Sequence, residues 1–289
     1  MPTTSEVFSS NNTILMDILQ GRFSTPSGNY FWHRKRQKIK ALLQRYVLST
    51  ASGNTRTFVD IGCGLGVDLF LIREWLEGWQ PGQWQFNGVE IDPTALEVLR
   101  LKQEEAQARN ISFIPADITK RLPFDDNALD VVYSSEVIEH LSDPDAFIAE
   151  VYRVLKKPGG AFLLTTPNEP NIFQRTWWSP ARRRQLAAQM EALKAEARSV
   201  QTFTAGCENT FIQHHVSLHT VGEWDRLMTS HGFRMDDAER GAMIYGGLDL
   251  TDNEWLLGFR FFAEAVLDLF PPHLTRALSD QLITLYLTR

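Results

Sequence analysis

Three glycines stand at alternate positions in the run Gly62-Cys63-Gly64-Leu65-Gly66, directly after the short apolar stretch Phe58-Val59-Asp60-Ile61. Glycine lets a backbone turn sharply and approach a ligand closely, and the amides that open a following helix can face that ligand. The run is therefore typical of a loop that holds a nucleotide-like molecule. The dinucleotide pattern G-x-G-x-x-G would require a further glycine where this sequence has Val67, which weakens a nicotinamide-binding interpretation.

Two acidic residues follow later apolar stretches. Glu90 ends the stretch that starts at Phe86, and Asp117 follows the stretch 111–114. A carboxylate at the first place can accept the hydroxyls of a ribose, and one at the second can accept a hydrogen bond from an adenine amine. Each residue alone is more often simply solvated. Together with the glycine turn they place polar groups at three successive strand ends, which favours an adenosine ligand.

The elements that must position these residues alternate along the chain. Short apolar runs are followed by helical stretches of about ten to fifteen residues, and Asp92-Pro93 and Asp143-Pro144 are helix-start signals. This alternation predicts an α/β fold with a doubly wound, mostly parallel seven-stranded sheet, whose ligand site lies at the carboxyl ends of the strands. The strands predicted after the first are 86–90, 111–114, 129–133, 161–165, one from 233 onward and 282–287.

The predicted sheet divides the chain into four parts. Residues 1–49 form an N-terminal extension and helix, and residues 50–166 form the ligand-binding core. Residues 167–220 form a helical insertion that serves as a lid over the acceptor, and residues 221–289 complete the sheet with an apolar helix.

That apolar helix, Trp255–Phe270, carries its charges on one narrow stripe, at Arg260, Glu264 and Asp268. Such a pattern predicts a helix that hides most of its circumference in the core. A homodimer face, a membrane-surface contact and the wall of an apolar pocket are the alternatives.

Five motifs, in order, resemble those of class I S-adenosylmethionine-dependent methyltransferases of the small-molecule, ubiquinone-biosynthesis-like type. The resemblance implies a Rossmann-like methyltransferase fold and S-adenosyl-L-methionine as cofactor. It also implies methyl transfer to a small-molecule acceptor, apolar or aromatic, with oxygen favoured as the attacked atom. The motifs are Val59–Gly66, Gly88–Asp92, Ala116–Ile118, Leu129–Leu141 and Lys156–Gly160.

The resemblance assigns the strand-end residues to parts of the cofactor. Asp60 would lie near the methionine amino group, Glu90 on the ribose hydroxyls and Asp117 on the adenine. The glycines and the side chains beside them would line the rest of the pocket, at Gly62, Cys63, Gly64, Gly66, Ile91, Ile118 and Ser134.

The acceptor side is marked by histidines. His140 follows the fourth predicted strand and is the candidate base for a hydroxyl acceptor, although packing at a helix start is an equally ordinary role. His214, His215 and His219 lie together in a predicted acceptor wall, with His215 as a second catalytic candidate. Because no cysteine or acidic residue stands near them with ligand spacing, we expect no metal.

Composition limits the partners. A formal charge of -6 and a pI near 5.7 argue against a protein that coats nucleic acid, and the basic runs 34–36 and 182–184 are predicted as solvated faces. Two distant cysteines predict thiols in a reducing compartment. No apolar run reaches about 18 residues, so we expect a cytoplasmic protein without stable membrane insertion.

Two other functions fit the cofactor-binding motifs. One is a nicotinamide-dependent oxidoreductase on the same fold. The other is a regulatory protein that binds the cofactor without catalysing a reaction, since each of these motifs binds cofactor and none by itself requires turnover.

Overall fold

The computed structural model describes residues 26–50, 53–168, 215–241 and 254–289, together with positions 181, 184 and 188. Two short 3-10 helices, Ile138–His140 and Arg276–Leu278, lie within these ranges. The other elements are α1 (Pro26–Ser49), β1 (Arg56–Ile61), α2 (Val67–Trp79), β2 (Trp84–Glu90), α3 (Pro93–Glu105), β3 (Ile111–Pro115), β4 (Val131–Ser135), α4 (Pro144–Val154), β5 (Ala161–Pro167), α5 (Val221–Ser230), β6 (Phe233–Arg240), α6 (Glu254–Leu267), α7 (Pro272–Thr275) and β7 (Gln281–Thr288).

The seven strands form one sheet in the order β3-β2-β1-β4-β5-β7-β6. Strands β1 to β5 pair in parallel, whereas β7 is antiparallel to both β5 and β6. The order reverses between β1 and β4, where Asp60 is in register with Tyr133. The predicted doubly wound, mostly parallel sheet is confirmed. Its ligand crevice lies beyond the carboxyl ends of β1 and β4, where the strand order reverses.

Apolar layers cover both faces of the sheet. On one face α4 and α5 contribute a cluster that includes Phe147, Ile148, Val151, Trp224 and Met228. On the other face α1 and α2 contribute Ile39, Leu42, Leu43, Leu69, Ile72 and Leu76. The central strands are apolar towards both layers, as a sheet covered on both faces requires.

The helix-start signals act as the sequence predicts. Asp92 accepts a hydrogen bond from the Thr94 amide at 2.8 Å, and Asp143 accepts one from the Ala146 amide at 3.0 Å. Thr220 and Glu223 form a reciprocal capping box at the start of α5. These caps fix where each helix leaves the sheet.

Two element boundaries differ from the sequence prediction. Strand β4 starts at Val131, because Leu129 forms a separate parallel bridge with Leu155 and Asp130 turns its carboxylate onto the Thr57 amide. Ser134 therefore lies inside the strand rather than after it. The sequence predicts that the helix starting at Asp92-Pro93 continues to about Arg109, whereas helix α3 ends at Glu105.

The burial predicted for the apolar C-terminal helix is wrong for the side chains that the structure describes. Phe262 is 67% exposed and Leu269, just past α6, is 82% exposed, whereas Glu264 is fully buried. Two residues of the charged stripe, Glu264 and Asp268, turn towards α1, where Arg34 lies 3.3 Å from Glu264 and 2.8 Å from Asp268. The described apolar side chains at 262, 266 and 269 are left exposed.

The predicted insertion, 167–220, lies mostly outside the described residues, so the four-part division of the chain stays a prediction. Among the described residues, every helix is too short or too polar to cross a lipid bilayer.

Candidate cofactor and acceptor site

The glycine turn joins β1 to α2 with a left-handed backbone. Gly62, Gly64 and Gly66 have φ values of +73°, +53° and +75°. A Cβ atom on Gly66 would lie 2.4 Å from Leu99 Cδ2, and one on Gly62 would lie 2.7 Å from Val137 Cγ2. A Cβ atom on Gly64 would meet nothing within 4 Å. Two of the glycines are therefore required by close packing, and the third borders open space where a ligand fits.

Glu90 is held at the end of β2 by three backbone amides. Its Oε2 accepts from the Gly64 amide at 2.8 Å, and its Oε1 accepts from the Ile91 and Asp92 amides at 2.8 and 2.9 Å. An ionised carboxylate has about four acceptor positions. One position on Oε2 therefore remains available to a ligand hydroxyl, at the edge of the glycine turn.

Asp60, near the end of β1, is a buried acid among other acids. Burial raises its pKa well above the ordinary value, and the charges of Asp68 and Glu90 raise it further, while Lys35 opposes them. A cation bound beside Asp60 would relieve both effects. The acidic surroundings suit a positively charged ligand group.

The third predicted strand end holds Asp117. Its Oδ1 accepts from the Thr119 amide at 3.0 Å and from the Thr119 hydroxyl at 2.7 Å, and Lys120 lies 3.2 Å from Oδ2. Burial raises the pKa of Asp117, but the bonds from Thr119 and Lys120 outweigh it and leave the pKa lowered. The neighbouring Ile118 packs on the core, whereas Ile91 is 46% exposed between these strand ends. An exposed apolar side chain there offers a surface for a flat ring.

Two residues that were predicted to line the cofactor pocket, Ser134 and Cys63, are held by contacts within the fold. The Ser134 hydroxyl is fully buried and donates to the Ile61 carbonyl at 3.3 Å, so it ties β4 to β1. Cys63 is a free thiol whose pKa is raised well above its ordinary value by burial, then by Asp60 and Glu90. It packs against Gly88, where a Cβ atom would lie 2.8 Å from the sulfur.

Two lysines that sequence reasoning missed brace this site. Lys35 is 1% exposed, and its Nζ donates to Ser135 Oγ at 2.7 Å and to Glu136 Oε1 at 3.2 Å. Lys102 on α3 donates to the Leu65 carbonyl at 2.8 Å, and burial lowers its pKa to about 8. Lys102 stands three residues after the buried Leu99, and this helical spacing in the sequence could have indicated that Lys102 also faces inward.

The basic run 34–36 was predicted to be a solvated face, and this prediction is wrong. Besides Lys35, Arg34 reaches Asp268, and Arg36 donates to Asp68 at 3.0 Å in the first turn of α2. The run thus ties α1 to three elements: Lys35 to the end of β4, Arg34 to the segment at the end of α6, and Arg36 to α2.

A polar wall continues from the cofactor crevice across the ends of β4 and β5. Glu136 has a left-handed backbone with φ of +54°, a strained conformation for a residue other than glycine. Its Oε1 accepts hydrogen bonds from Thr165 Oγ1 at 3.1 Å and from Gln281 Nε2, as well as from Lys35. Side chains from the ends of β4 and β5 and from β7 therefore form one hydrogen-bonded group here.

His140 and His215, which are far apart in sequence, lie together in this wall. Their ring centroids are 5.0 Å apart, in an edge-to-face arrangement, beside the buried Glu139. Burial raises the pKa of Glu139 well above its ordinary value, and the charge of Glu136 adds to this. His219 instead packs on Trp224, 4.6 Å between centroids, and His214 lies outside the described residues.

Comparison with known proteins identifies the family. The family described as "Methyltransferase domain" matches residues 53–232, more than half of the chain. The chain belongs to this family. It is a class I S-adenosylmethionine-dependent methyltransferase, and the resemblance read from the five sequence motifs is confirmed. This membership removes the nicotinamide-dependent oxidoreductase as an alternative.

Two curated methyltransferases are similar to part of the chain. The malonyl-[acyl-carrier protein] O-methyltransferase of Serratia marcescens is 30% identical over 163 residues, covering 55% of this chain and 56% of that protein. The ubiquinone biosynthesis O-methyltransferase of Serratia proteamaculans is 29% identical over 132 residues, covering 45% and 51%. The chain thus matches about half the length of each of these relatives.

Solved structures share the fold over a longer span. A structure of the complex containing the Haloferax volcanii Trm112 methyltransferase activator aligns with a TM-score of 0.53 at 19% identity, covering 90% of both chains. PKMT2 from Rickettsia typhi, solved in complex with AdoHcy, aligns with a TM-score of 0.52 at 14% identity, covering 89% of this chain and 54% of that one.

Proposed function

We propose that this methyltransferase transfers the methyl group of S-adenosyl-L-methionine to an oxygen atom of a small-molecule acceptor. The cofactor assignment rests on the Glu90 carboxylate, which three backbone amides hold at the rim of the glycine turn. Of the three glycines in that turn, Gly64 is the one that borders open space. Family membership supports the cofactor, and the O-methyltransferases among the relatives support oxygen.

The cofactor would be held by residues of three neighbouring strand ends. Glu90 accepts a hydrogen bond from a ribose hydroxyl, and Asp60 faces the methionine ammonium. The exposed face of Ile91 covers the adenine, and Asp117 accepts a hydrogen bond from the adenine amine. When bound, S-adenosylmethionine supplies an electrophilic methyl group on a cationic sulfonium. The acids around the turn favour that positive charge.

The acceptor would lie against the polar wall of β4 and β5. The chain's task there is to hold the acceptor oxygen in line with the methyl group and to exclude water. A hydroxyl becomes a good nucleophile when it loses its proton, and we assign the promotion of that loss to His140 and His215, whose rings lie 5.0 Å apart. Curated relatives also include a sterol 4-C-methyltransferase of Caenorhabditis elegans, so carbon is the competing attacked atom.

Ligand-linked stability tests the cofactor site. We expect S-adenosylhomocysteine to raise the melting temperature of the wild type saturably, because a ligand that binds only the folded state stabilises it. Glu90→Ala should lose most of this shift, whereas Glu97→Ala, an exposed glutamate on α3, should retain it. No shift in folded wild type would contradict the proposed cofactor site.

Turnover separates an enzyme from a protein that only binds the cofactor. Incubation of wild type with S-adenosylmethionine and a panel of phenol, alcohol and carboxylic acid acceptors should give S-adenosylhomocysteine and a methyl ether or ester. A product methylated on carbon would contradict the oxygen assignment.

A further inference from the structure

A second cluster of ligand-type atoms lies in the polar wall, beside the cofactor crevice. Glu139 and His140 stand on the 3-10 helix after β4, and His215 stands on the segment that leads into α5. One side-chain oxygen or nitrogen of each lies within 4.8 Å of those of the other two. Glu139 is fully buried, and among the described residues its Oε1 has no hydrogen-bond partner. A buried oxygen left in this way is costly unless something binds it.

We propose that Glu139, His140 and His215 bind a divalent transition-metal ion of the Zn²⁺ type. Two imidazoles and one carboxylate are the donor set of open catalytic metal sites, in which a further position takes water or substrate. An occupied site has ligand bonds of about 2.0–2.2 Å. The three atoms must therefore draw closer together when the ion binds.

The surrounding bonds already fix the backbone that carries these ligands. The amides of Val216 and Ser217 both donate to the Glu139 carbonyl, at 2.8 and 2.9 Å, and the Ser217 hydroxyl donates to the Leu141 carbonyl at 2.7 Å. Thr166 Oγ1 donates to Glu139 Oε2 at 2.9 Å, which leaves Oε1 for the ion. Outer bonds of this kind orient metal ligands and fix their affinity.

The role of the ion rests on the proposed function. The acceptor hydroxyl would occupy the open position, and the ion would lower the pKa of that hydroxyl so that its proton leaves to solvent. The resulting oxygen anion then attacks the methyl carbon. The new O–C bond forms as the S–C bond breaks, and the electron pair of that bond returns to sulfur.

This inference departs from the expectation of no metal, which rested on the absence of an acidic residue near the histidine segment. The acid comes instead from a position 76 residues earlier in the chain. Only the fold brings it to His215.

Metal binding itself tests the proposal. Chelator-treated protein is titrated with Zn²⁺ by calorimetry and with Co²⁺ by visible absorption, and bound metal is counted by mass spectrometry. We expect one ion per chain in wild type and its loss in His215→Ala. Thr166→Val should weaken binding by about 10–100-fold, as loss of an outer partner does at other sites. His231→Ala removes a histidine that pairs with Asp145 at 2.9 Å on the surface, and should bind as wild type does.

The outcomes distinguish the metal from the methyltransferase proposal. Wild type that binds no ion, or His215→Ala that binds as tightly as wild type, overturns the metal site. S-Adenosylhomocysteine should stabilise wild type and His215→Ala equally, because Glu90 and the glycine turn are intact in both. If that stabilisation is absent while Zn²⁺ still binds, the proposed cofactor site fails and the metal site stands.

Discussion

The Asp60 carboxylate is buried among other acids, and it is also the proposed partner of the ammonium group of the cofactor. It is 3% exposed, and burial and its acidic neighbours raise its pKa. An acid whose pKa rises on folding contributes stability below its unfolded pKa, about 3.9, and that contribution is lost as the pH rises through the folded pKa. At pH values above its folded pKa the ligand-free protein therefore holds a costly charge, which the ammonium group of the cofactor would neutralise.

Asp60→Asn should consequently stabilise the ligand-free protein while weakening its ligand binding. We expect a gain of about 1 kcal/mol in the free energy of unfolding at pH values above the raised pKa, shrinking as the pH falls through it to values where the wild-type acid is also neutral. Wild-type affinity for S-adenosylhomocysteine should fall as the pH is lowered through the raised pKa, and the Asp60→Asn variant should lose that pH dependence. Urea unfolding and calorimetry measure both effects. Unchanged affinity and pH dependence in the variant would show that Asp60 does not face the ammonium.

Gly64 and Gly66 share a left-handed backbone but differ in their neighbours. Gly66→Ala forces a Cβ atom against Leu99 on α3, so we expect a loss of about 2–4 kcal/mol in the free energy of unfolding. Gly64→Ala meets no neighbour and should cost about 1–2 kcal/mol of backbone strain. It should nevertheless lose cofactor binding, because its methyl group enters the open space. Chemical unfolding and ligand titration compare the two. Tight binding by Gly64→Ala would place the ligand elsewhere.

At the scale of elements, an ion network fastens α1 to β6 and α6. Asp268 accepts from Arg34 at 2.8 and 2.9 Å and from Arg240 at 2.8 Å. Burial raises the pKa of Asp268, but Arg34, Lys38 and Arg240 outweigh that effect and leave it lowered. Such an acid contributes stability above its unfolded pKa of about 3.9, and this contribution is lost as the pH falls through the folded pKa.

Asp268→Asn should therefore destabilise the fold at pH 7 and cease to do so in acid. The carboxylate is 31% exposed, so solvent screening limits the expected loss to about 1 kcal/mol. The loss should shrink below about pH 4. Asp236→Asn provides the control, since that acid pairs with Arg234 two residues away on the same strand. Thermal unfolding at several pH values compares them, and equal losses at every pH would contradict the network.

The elements that the sequence predicted are those with local signals. These signals are the glycine turn, the capped helix starts at Asp92 and Asp143, and the alternation of strands and helices, and each lies within about fifteen residues. The position of Glu90 and Asp60 at one crevice follows from strand order alone. By contrast, the meeting of Glu139 with His215 and the inward turn of Glu264 depend on contacts between distant segments. No periodicity in one segment records such contacts, so they could not be predicted.

At the scale of the whole molecule, the predicted site residues gather at one end of the parallel strands. This end, where the strands finish, is called the carboxyl edge here. The glycine turn, Glu90 and Asp117 all lie at the carboxyl edge, while the connections 80–83 and 106–110 lie at the opposite edge. The parallel strands β1 to β3 carry each site residue to the same edge. Bound ligand should therefore slow amide hydrogen exchange at the carboxyl edge and not at the opposite edge.

Hydrogen exchange with and without S-adenosylhomocysteine measures that asymmetry. Amides that exchange by local opening at 62–66, 90–92 and 117–119 should slow by up to about 100-fold with ligand at 100 times Kd, because opening there requires the ligand to leave. Amides in 80–83 and 106–110 that exchange by local opening should keep their rates, since those connections can open with ligand bound. Equal slowing at both edges would mean that exchange proceeds through global unfolding, and this is checked by repeating the measurement with a low concentration of denaturant added, which accelerates exchange by that route. Slowing confined to 80–83 and 106–110 would place the ligand at the opposite edge and contradict the site built on Glu90.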